Sequence, residues 1–386
     1  MRKVSVIGVG LTKFGEHWEK SFRELAVEAG ARALADAKLE GEKIQALFGA
    51  SMSSGRLVGQ EHVGALLADQ LGLNPIPAIR CEAACASGGV ALRAAYFAVA
   101  SGAYDIVAVG GIEKMTDVST EDVATALGGA GDQEWELFNG ATFPSIYALM
   151  ARRHMHEYGT TEEQMAAVAV KNHKNAVHNP YAQYQKEITV EQVMKSTVVS
   201  SPLKLFDCSP ITDGAAVAIL AAHEVAKIYS EQPIEIAASA QASDTLALAS
   251  RRSLSELAAT KVAARDAFKQ AGITPKDVDV AEVHDCFTIG EIMAIEDLGF
   301  FEKGQGGPAT EAGRTALGSE ISVNTSGGLK GKGHPVGATG IAQFAETVSQ
   351  LRGTAGARQV HGAEIGLCHN VGGSGGTAVV HILKKT

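Results

Sequence analysis

Residues 29–47 read AGARALADAKLEGEKIQAL, and residues 263–281 read AARDAFKQAGITPKDVDVA. The two stretches align without a gap. Each is a helix of small residues, a turn, a charged pair and the start of a strand. Alanine-rich helices recur by chance, so a second correspondence adds weight: ASG at 86–88 and ATG at 338–340 each open a helix after a turn. Together they predict a duplicated α/β unit whose equivalent turns meet at one site.

The chain outside the repeat reads the same way. KVSVIGV (3–9) is a buried strand, and residues 21–38 carry apolar and alanine positions at helical spacing. A strand at IQALFGASM, a helix around 59–72, a strand at IPAIRCE, a helix from 87 to 101 and a strand at DIVAVGG follow. This alternation predicts a mostly parallel sheet covered by helices. From about 116 to 195 polar and charged residues rise, which reads as an inserted helical and loop region. The strand pattern returns at DGAAVAILAA (213–222).

Composition narrows the class. With 386 residues the chain has room for two or three lobes. Its 43 glycines and 5% aromatics suit tight turns and backbone close to ligands. A net charge of −9 excludes a global basic field for nucleic acid, although local amides and helix N-termini can still hold an anion. The five unevenly spaced cysteines make no disulfide framework, so a reducing cytoplasm is expected. MRKVSVIGVGLTKFG has the look of a signal start, but glycines break its apolar run and no small-residue cleavage site follows, so it reads as a strand. No stretch approaches the roughly 20 apolar residues of a membrane helix.

Four stretches join reactive side chains to turn-forming glycines: CEAACASGG (81–89), VHDCFT (283–288), GGLKGKGHPVGATG (327–340) and GLCHNVGGSGG (366–376). Strand ends of this kind are where open α/β sheets bind ligands. A zinc site is disfavoured, because Cys81 and Cys85 have no second pair and the other thiols stand alone at 208, 286 and 368. Cys81 and Cys208 read as packing residues. Cys85 stands where a strand gives way to a helix, where unpaired N–H groups and the positive end of the dipole favour a thiolate. His334, held between glycine and proline ahead of another helix, is the matching base. His154, His156, His173 and His178 lie among Arg152, Arg153, Lys171 and Lys174, and read as a solvated polar surface rather than a metal site.

CASGG, GGIEKM, FDCSPITDGAA, VHDCF, GGLKGKGHPVGATG and CHNVGGSGG resemble, in order and spacing, the motifs of the thiolase superfamily over essentially the whole chain. The likeness is greatest to sterol-carrier-protein-type thiolases and their archaeal relatives. HDCF stands where ordinary thiolases have Asn-Glu-Ala-Phe, and HN-x-G where they have Cys-x-Gly. The resemblance implies a five-layered α-β-α-β-α fold of two similar halves. Residues 1–115 plus 196–250 would form the N-terminal half, 251–386 the C-terminal half and 116–195 a loop domain over the substrate.

It also implies roles. Cys85 would be the nucleophile and His334 its base, with His284 binding the thioester oxygen beside His334. The N–H groups of Cys85 and Gly372 would form a second oxyanion hole. Asn370 falls where ordinary thiolases keep a second cysteine, and an amide cannot exchange a proton at neutral pH. That role would move to Cys286, two residues after His284 and on the same side of an extended segment. Lys330 and Lys332 are candidate contacts for the phosphates of coenzyme A, which is the substrate carrier, with no cofactor or metal implied. The implied reaction joins two acetyl-CoA molecules into acetoacetyl-CoA, or runs in reverse, and would feed the mevalonate pathway. Implied partners are a second copy, as homodimer or homotetramer, and hydroxymethylglutaryl-CoA synthase bridged by a zinc-ribbon/OB-fold protein. The rival readings are a thiolase-like lyase such as the steroid side-chain aldolases, which lack the nucleophilic cysteine, a decarboxylating ketoacyl synthase, and a non-catalytic acyl-CoA or lipid-binding scaffold.

Overall fold

The computed structural model describes residues 2–230 and 233–386. Twelve strands run β1 Val4–Leu11, β2 Leu47–Ala50, β3 Ala78–Cys81, β4 Ile106–Glu113, β5 Val198–Ser200, β6 Leu203–Lys204, β7 Gly214–Ala222, β8 Ile234–Ser243, β9 Val280–Glu282, β10 Ser322–Val323, β11 Ile365–Gly372 and β12 Thr377–Lys385. β5 and β6 pair as a small separate ladder. The other ten form one sheet in the order β10-β9-β11-β12-β8-β1-β7-β4-β2-β3. From either end toward the middle, the order is third, second, fourth, fifth and first strand of its half. The duplication is therefore a property of the topology, and the halves meet where β1 pairs with β8 at Ser5–Glu235 and Val6–Ile234.

The aligned repeat has the register expected of it. Ala37 and Ala271 are the last residues of helices Phe22–Ala37 and Ala258–Ala271. The next residues, Lys38 and Gly272, both take the left-handed conformation that ends a helix, at φ 51° and 68°. Ala86 and Ala338 likewise stand immediately before helices Ser87–Ala100 and Thr339–Arg352. Phe22–Ala37 begins at a capping box, in which Ser21 Oγ accepts the Glu24 N–H and Glu24 Oε2 accepts the Ser21 N–H.

The expectation of a mostly parallel sheet holds only for three strands of each half, β3-β2-β4 and β10-β9-β11; the five ladders between them are antiparallel. β7 runs against β1 and β4, and β12 against β8 and β11. For β12 the cause is local: only residues 373–376 separate it from β11, too few for a parallel crossover. The boundary of the halves also moves. β8 pairs along its length with β12 and is the counterpart of β1, so the C-terminal half begins before residue 234 rather than after 250.

Helices fill three layers around the two halves of the sheet. Phe22–Ala37 and Val63–Gln70 bury Leu25, Ala29, Ala33 and Leu67 on one outer face. Ala258–Ala271 and Thr288–Asp297 bury Ala263, Phe268 and Ile295 on the other. The central layer is Ser87–Ala100 with Thr339–Arg352, where Leu92, Val99, Ile341 and Phe344 share one core with Val6, Val109 and Leu220. Glycine sets its closeness. A Cβ on Gly88 would lie 2.9 Å from Gly337 O, and one on Gly340 would lie 2.5 Å from Gly89 N, so main chain meets main chain.

Helices Thr120–Gly128, Phe143–Tyr158, Glu162–Ala176 and Val190–Lys195 lie outside the sheet. Phe143–Tyr158 and Glu162–Ala176 are fixed to the C-terminal half by buried polar pairs. Asn172 Nδ2 donates to Asp285 Oδ2 at 2.7 Å and Glu291 Oε2 at 2.8 Å, while His154 bonds Glu296 Oε2 at 2.9 Å and Thr160 Oγ1 at 2.8 Å. His154 and His173 are thus buried, against the expectation of a solvated surface, because carboxylate, hydroxyl and carbonyl partners replace water. Among the described residues no helix is long and apolar enough to cross a membrane.

Candidate active site

The turn between β3 and helix Ser87–Ala100 is tight, and it decides where Cys85 points. Ala84 takes φ +52°, a left-handed conformation that costs a non-glycine residue of order 1–3 kcal/mol. Ser87 compensates by stapling the turn: its Oγ donates to Ala84 O at 2.6 Å and accepts the Ala83 N–H at 3.0 Å. The Cys85 thiol is thereby presented to a cavity of about 190 Å³ that it shares with His334, Cys286 and Gly373. Val123, Leu127, Phe143 and Pro144 from the inserted helices form the opposite wall.

His334 and His284 arrive from the other half. Sγ of Cys85 and a ring nitrogen of each histidine lie within 4.8 Å of one another, and the two rings meet edge to face at 5.2 Å. Hydrogen bonds behind them assign the protons. Thr339 Oγ1 gives its proton to Pro335 O at 3.0 Å, so it accepts from His334 Nδ1 at 2.7 Å. That leaves His334 Nε2 as a bare lone pair. Asn370 Oδ1 accepts the Gly89 N–H at 3.1 Å, so its amide NH₂ donates, to Cys85 O at 3.0 Å and to His284 Nδ1 at 3.2 Å. The proton of neutral His284 is therefore on Nε2, which is buried and has no partner among the described residues. One imidazole offers a base and the other a donor.

The electrostatics agree. Burial, then the Lys332 ammonium, pushes His334 down to about 3, and burial, then the neighbouring His334 and His369, holds His284 well below the usual range. Burial pushes the Cys85 thiol up to about 12, although the N–H groups of Gly373 and of Cys85 itself both face the sulfur and oppose the rise. The expected resting thiolate is thus corrected. Cys85 lies ahead of the helix, and desolvation outweighs the amides and the dipole. The site pairs a neutral thiol with a neutral imidazole.

Glu113, at the end of β4, ties the two loops together. Its Oε1 accepts Ser51 Oγ–H and Ser53 N–H at 2.9 and 3.1 Å, and its Oε2 accepts Met52 N–H and Gly337 N–H at 2.8 and 3.0 Å. Gly337 follows His334 by three residues, so a carboxylate of one half anchors the base loop of the other.

The other residues singled out from the sequence divide. Cys286 lines the cavity, whereas Cys368 is buried in β11 with its thiol on Thr347 Oγ1 at 3.1 Å. The amide that reaches the Cys85 sulfur is that of Gly373; Gly372, one residue earlier, ends β11 packed against Ala83. Lys330 lies under Tyr184 and Phe206, in a larger groove of about 680 Å³ that adjoins the cavity at Cys208, Ser209 and Pro210. Lys332 is a correction: it is buried, its ammonium 3.6 Å from Glu282, and it lines neither the cavity nor the groove, so the Glu282 charge holds it away from any solvent-borne phosphate.

Three features had no usable signal in the sequence: the strained Ala84, Thr339 as acceptor of the His334 Nδ1 proton, and the part of the Asn370 amide in fixing the His284 tautomer. Cys85, His284 and His334 are also the one His/Cys/Asp/Glu group with metal-ligand spacing among the described residues. The Asn370 amide holds the other nitrogen of His284, so this ring presents N–H rather than a lone pair to the group, which leaves it one metal donor short.

Residues 4–224 match the family described as Thiolase, N-terminal domain, and residues 240–385 match Thiolase C-terminal domain-like. The chain is 58% identical over 385 residues to an acetyl-CoA acetyltransferase of Methanothermobacter thermautotrophicus, covering 100% of both chains. It is 36% identical over 401 residues to sterol carrier protein 2 of Bos taurus, covering 99% of this chain and 72% of that protein. Among solved structures, an Ltp2-ChsH2(DUF35) aldolase chain superposes with a TM-score of 0.86 at 26% identity, over 99% of this chain and 98% of that one. The chain belongs to the thiolase family and is an acyltransferase of that class.

Proposed function

We propose that this thiolase joins two acetyl-CoA molecules into acetoacetyl-CoA and free CoA, or catalyses the reverse thiolysis, through acetyl-Cys85. The observation that carries the reading is the opposed tautomers of His334 and His284 around one thiol. Because the resting pair is neutral, His334 Nε2 takes the thiol proton as sulfur bonds to the thioester carbon, with no prior ion pair. The tetrahedral oxyanion is met by the N–H groups of Cys85 and Gly373, an arrangement in which one lost donor costs about 3 kcal/mol. CoA leaves as a thiol with the proton from His334.

In the second half-reaction the thioester oxygen of another acetyl-CoA faces His284 Nε2–H. Cys286 takes the α-proton, the enolate carbon attacks the acetyl group, and the Cys85–acyl bond breaks. Splitting the condensation through a covalent intermediate is what the nucleophile contributes. Lys330 in the adjoining groove is the candidate phosphate contact, and the chemistry needs neither metal nor cofactor.

A retro-aldol lyase, the reading favoured by architecture alone, makes no use of an intact Cys85–His334 pair. Mixing the protein with acetyl-CoA and weighing it intact tests the assignment. Gain of one acetyl group on Cys85 is expected, and an unmodified chain under turnover conditions overturns it. The cytoplasm is the compartment we assign. Self-association is supported by β3, an edge strand with Ile79 49% exposed. Supply of the mevalonate pathway, beside hydroxymethylglutaryl-CoA synthase and a zinc-ribbon/OB-fold bridge, is the physiological setting we propose. Co-purification with both proteins is its test.

A further inference from the structure

Tyr147, on helix Phe143–Tyr158, is 2% exposed, with its ring 4.6 Å from that of Phe287. Its hydroxyl donates to Gly373 O at 3.1 Å and lies beside the Cys286 sulfur. Gly373 and Cys286 are both cavity residues. One phenol therefore connects the turn that faces the nucleophile with the thiol that we read as the carrier of the α-proton. The groups facing Cys286 are few. Burial raises the thiol most, and Cys85 and Asp285 add to the rise, while Tyr147 O–H and the Phe287 N–H favour the anion. Around the phenol itself are Cys286, Cys85 and the Arg251 guanidinium.

Condensation requires Cys286 as an anion. The acyl-enzyme loses one proton from Cys286 to solvent. The α-C–H bond of the second thioester then breaks, its proton going to the sulfur and its electron pair to the enolate. When the new C–C bond forms, the Cys85–acyl bond breaks and Cys286 passes that proton to the Cys85 sulfur. A buried thiolate needs a donor beyond one backbone N–H, and Tyr147 is the side chain placed to supply it. We propose that the Tyr147 hydroxyl is a two-position donor, on Gly373 O while Cys286 is a thiol and on the Cys286 sulfur while it is a thiolate, so that Tyr147 is the positioning residue for α-proton transfer. The inference rests on the reading of Cys286 as proton carrier.

The test uses the full chain and measures two things against pH: acetylation of Cys85, and exchange of the acetyl-CoA methyl protons in D₂O. Tyr147→Phe keeps the ring on Phe287. Its exchange is expected to fall about ten- to hundredfold at neutral pH, the worth of a hydrogen bond to a charged group, with the midpoint of the profile moving one to two units upward. The profile for acetylation keeps its midpoint. Incorporating 3-fluorotyrosine at position 147, a stronger donor of nearly the same size, moves the exchange midpoint downward and serves if the phenylalanine variant folds poorly. An unmoved exchange profile in both variants overturns the role of Tyr147, as does an equal loss of both reactions with no shift in pH. Exchange that survives in Cys286→Ala overturns the reading of Cys286 instead, which separates the two failures.

Discussion

The two halves present equivalent helices with very different loops in front of them. In the N-terminal half β3 ends at Cys81 and the central helix opens at Ser87, a short turn whose one reactive group is Cys85. In the C-terminal half β10 ends at Val323 and the helix opens only at Thr339, and the longer path carries Lys330 and His334. The strand ends differ in the same sense. After β9 come His284 and Cys286, and near the end of β11 is Asn370, whereas β4 ends in Glu113, which accepts hydrogen bonds and takes no part in the chemistry. Duplication supplied one frame twice. On the roles proposed above, one copy carries the nucleophile and the other the groups that move protons.

The largest way to break that comparison is Cys85→Ser. If the N-terminal half contributes the nucleophile alone, turnover in either direction falls by about 10³-fold or more, because the hydroxyl is far less acidic than the thiol. Near-normal turnover would place the covalent chemistry elsewhere. Next comes the division within the C-terminal half. His334→Ala should slow Cys85 acetylation by about 10²–10⁴-fold, as loss of a general base does. His284→Ala should spare acetylation and slow methyl proton exchange by about 10²–10³-fold, the cost of one oxyanion donor. Equal loss of acetylation in both single-turnover experiments would show that the tautomers do not divide the work.

Smaller effects sharpen the contrast in stability. Gly88→Ala places a methyl group 2.9 Å from Gly337 O across the two halves, and should lower stability by about 1–3 kcal/mol in denaturant unfolding. Retention of full stability would mean that the halves can slide. The C-terminal half also holds His369, which burial pushes down to about 3, with its ring on Thr260 Oγ1. Its folded value is below its unfolded one, so between about pH 6.5 and 4 the unfolded chain binds the extra proton, and stability falls as pH falls. His369→Gln should remove about 1.4 kcal/mol per pH unit from that slope. The buried acids are common to both proteins and cancel in the difference. An unchanged slope would mean that His369 is protonated in the fold.

Much of this was legible in the residues. The repeat set two equivalent helices in register, and the structure ends them at Ala37 and Ala271, because ending a helix is a local act, written in the next residue's conformation. Cys85 and His334 were legible because each precedes a helix in a run of small residues that leaves a side chain exposed to the site. β8 was harder: IEIAASAQAS mixes small and polar residues, and its place beside β12 depends on a partner more than a hundred residues away. Lys332 and His154 were misread because charge and polarity report a cost of burial, not whether a carboxylate waits to offset it. The tautomers depend on how the Asn370 amide is turned, which the Gly89 N–H decides from the opposite half.

The contact of Gly88 with Gly337 and of Gly340 with Gly89 works as a jaw with a fixed gap. The side chain that reaches into it, the Asn370 amide, is itself pinned by Gly89 N–H, Cys85 O and His284 Nδ1, so the spacing of sulfur and imidazole has little room to change. Variation in the acyl group must therefore be absorbed by the other wall of the cavity, where Val123, Leu127, Phe143 and Pro144 stand on helices outside the duplicated frame. Redesign for longer or branched acyl chains belongs on that wall, where side-chain volume can change while the reacting atoms keep their distances.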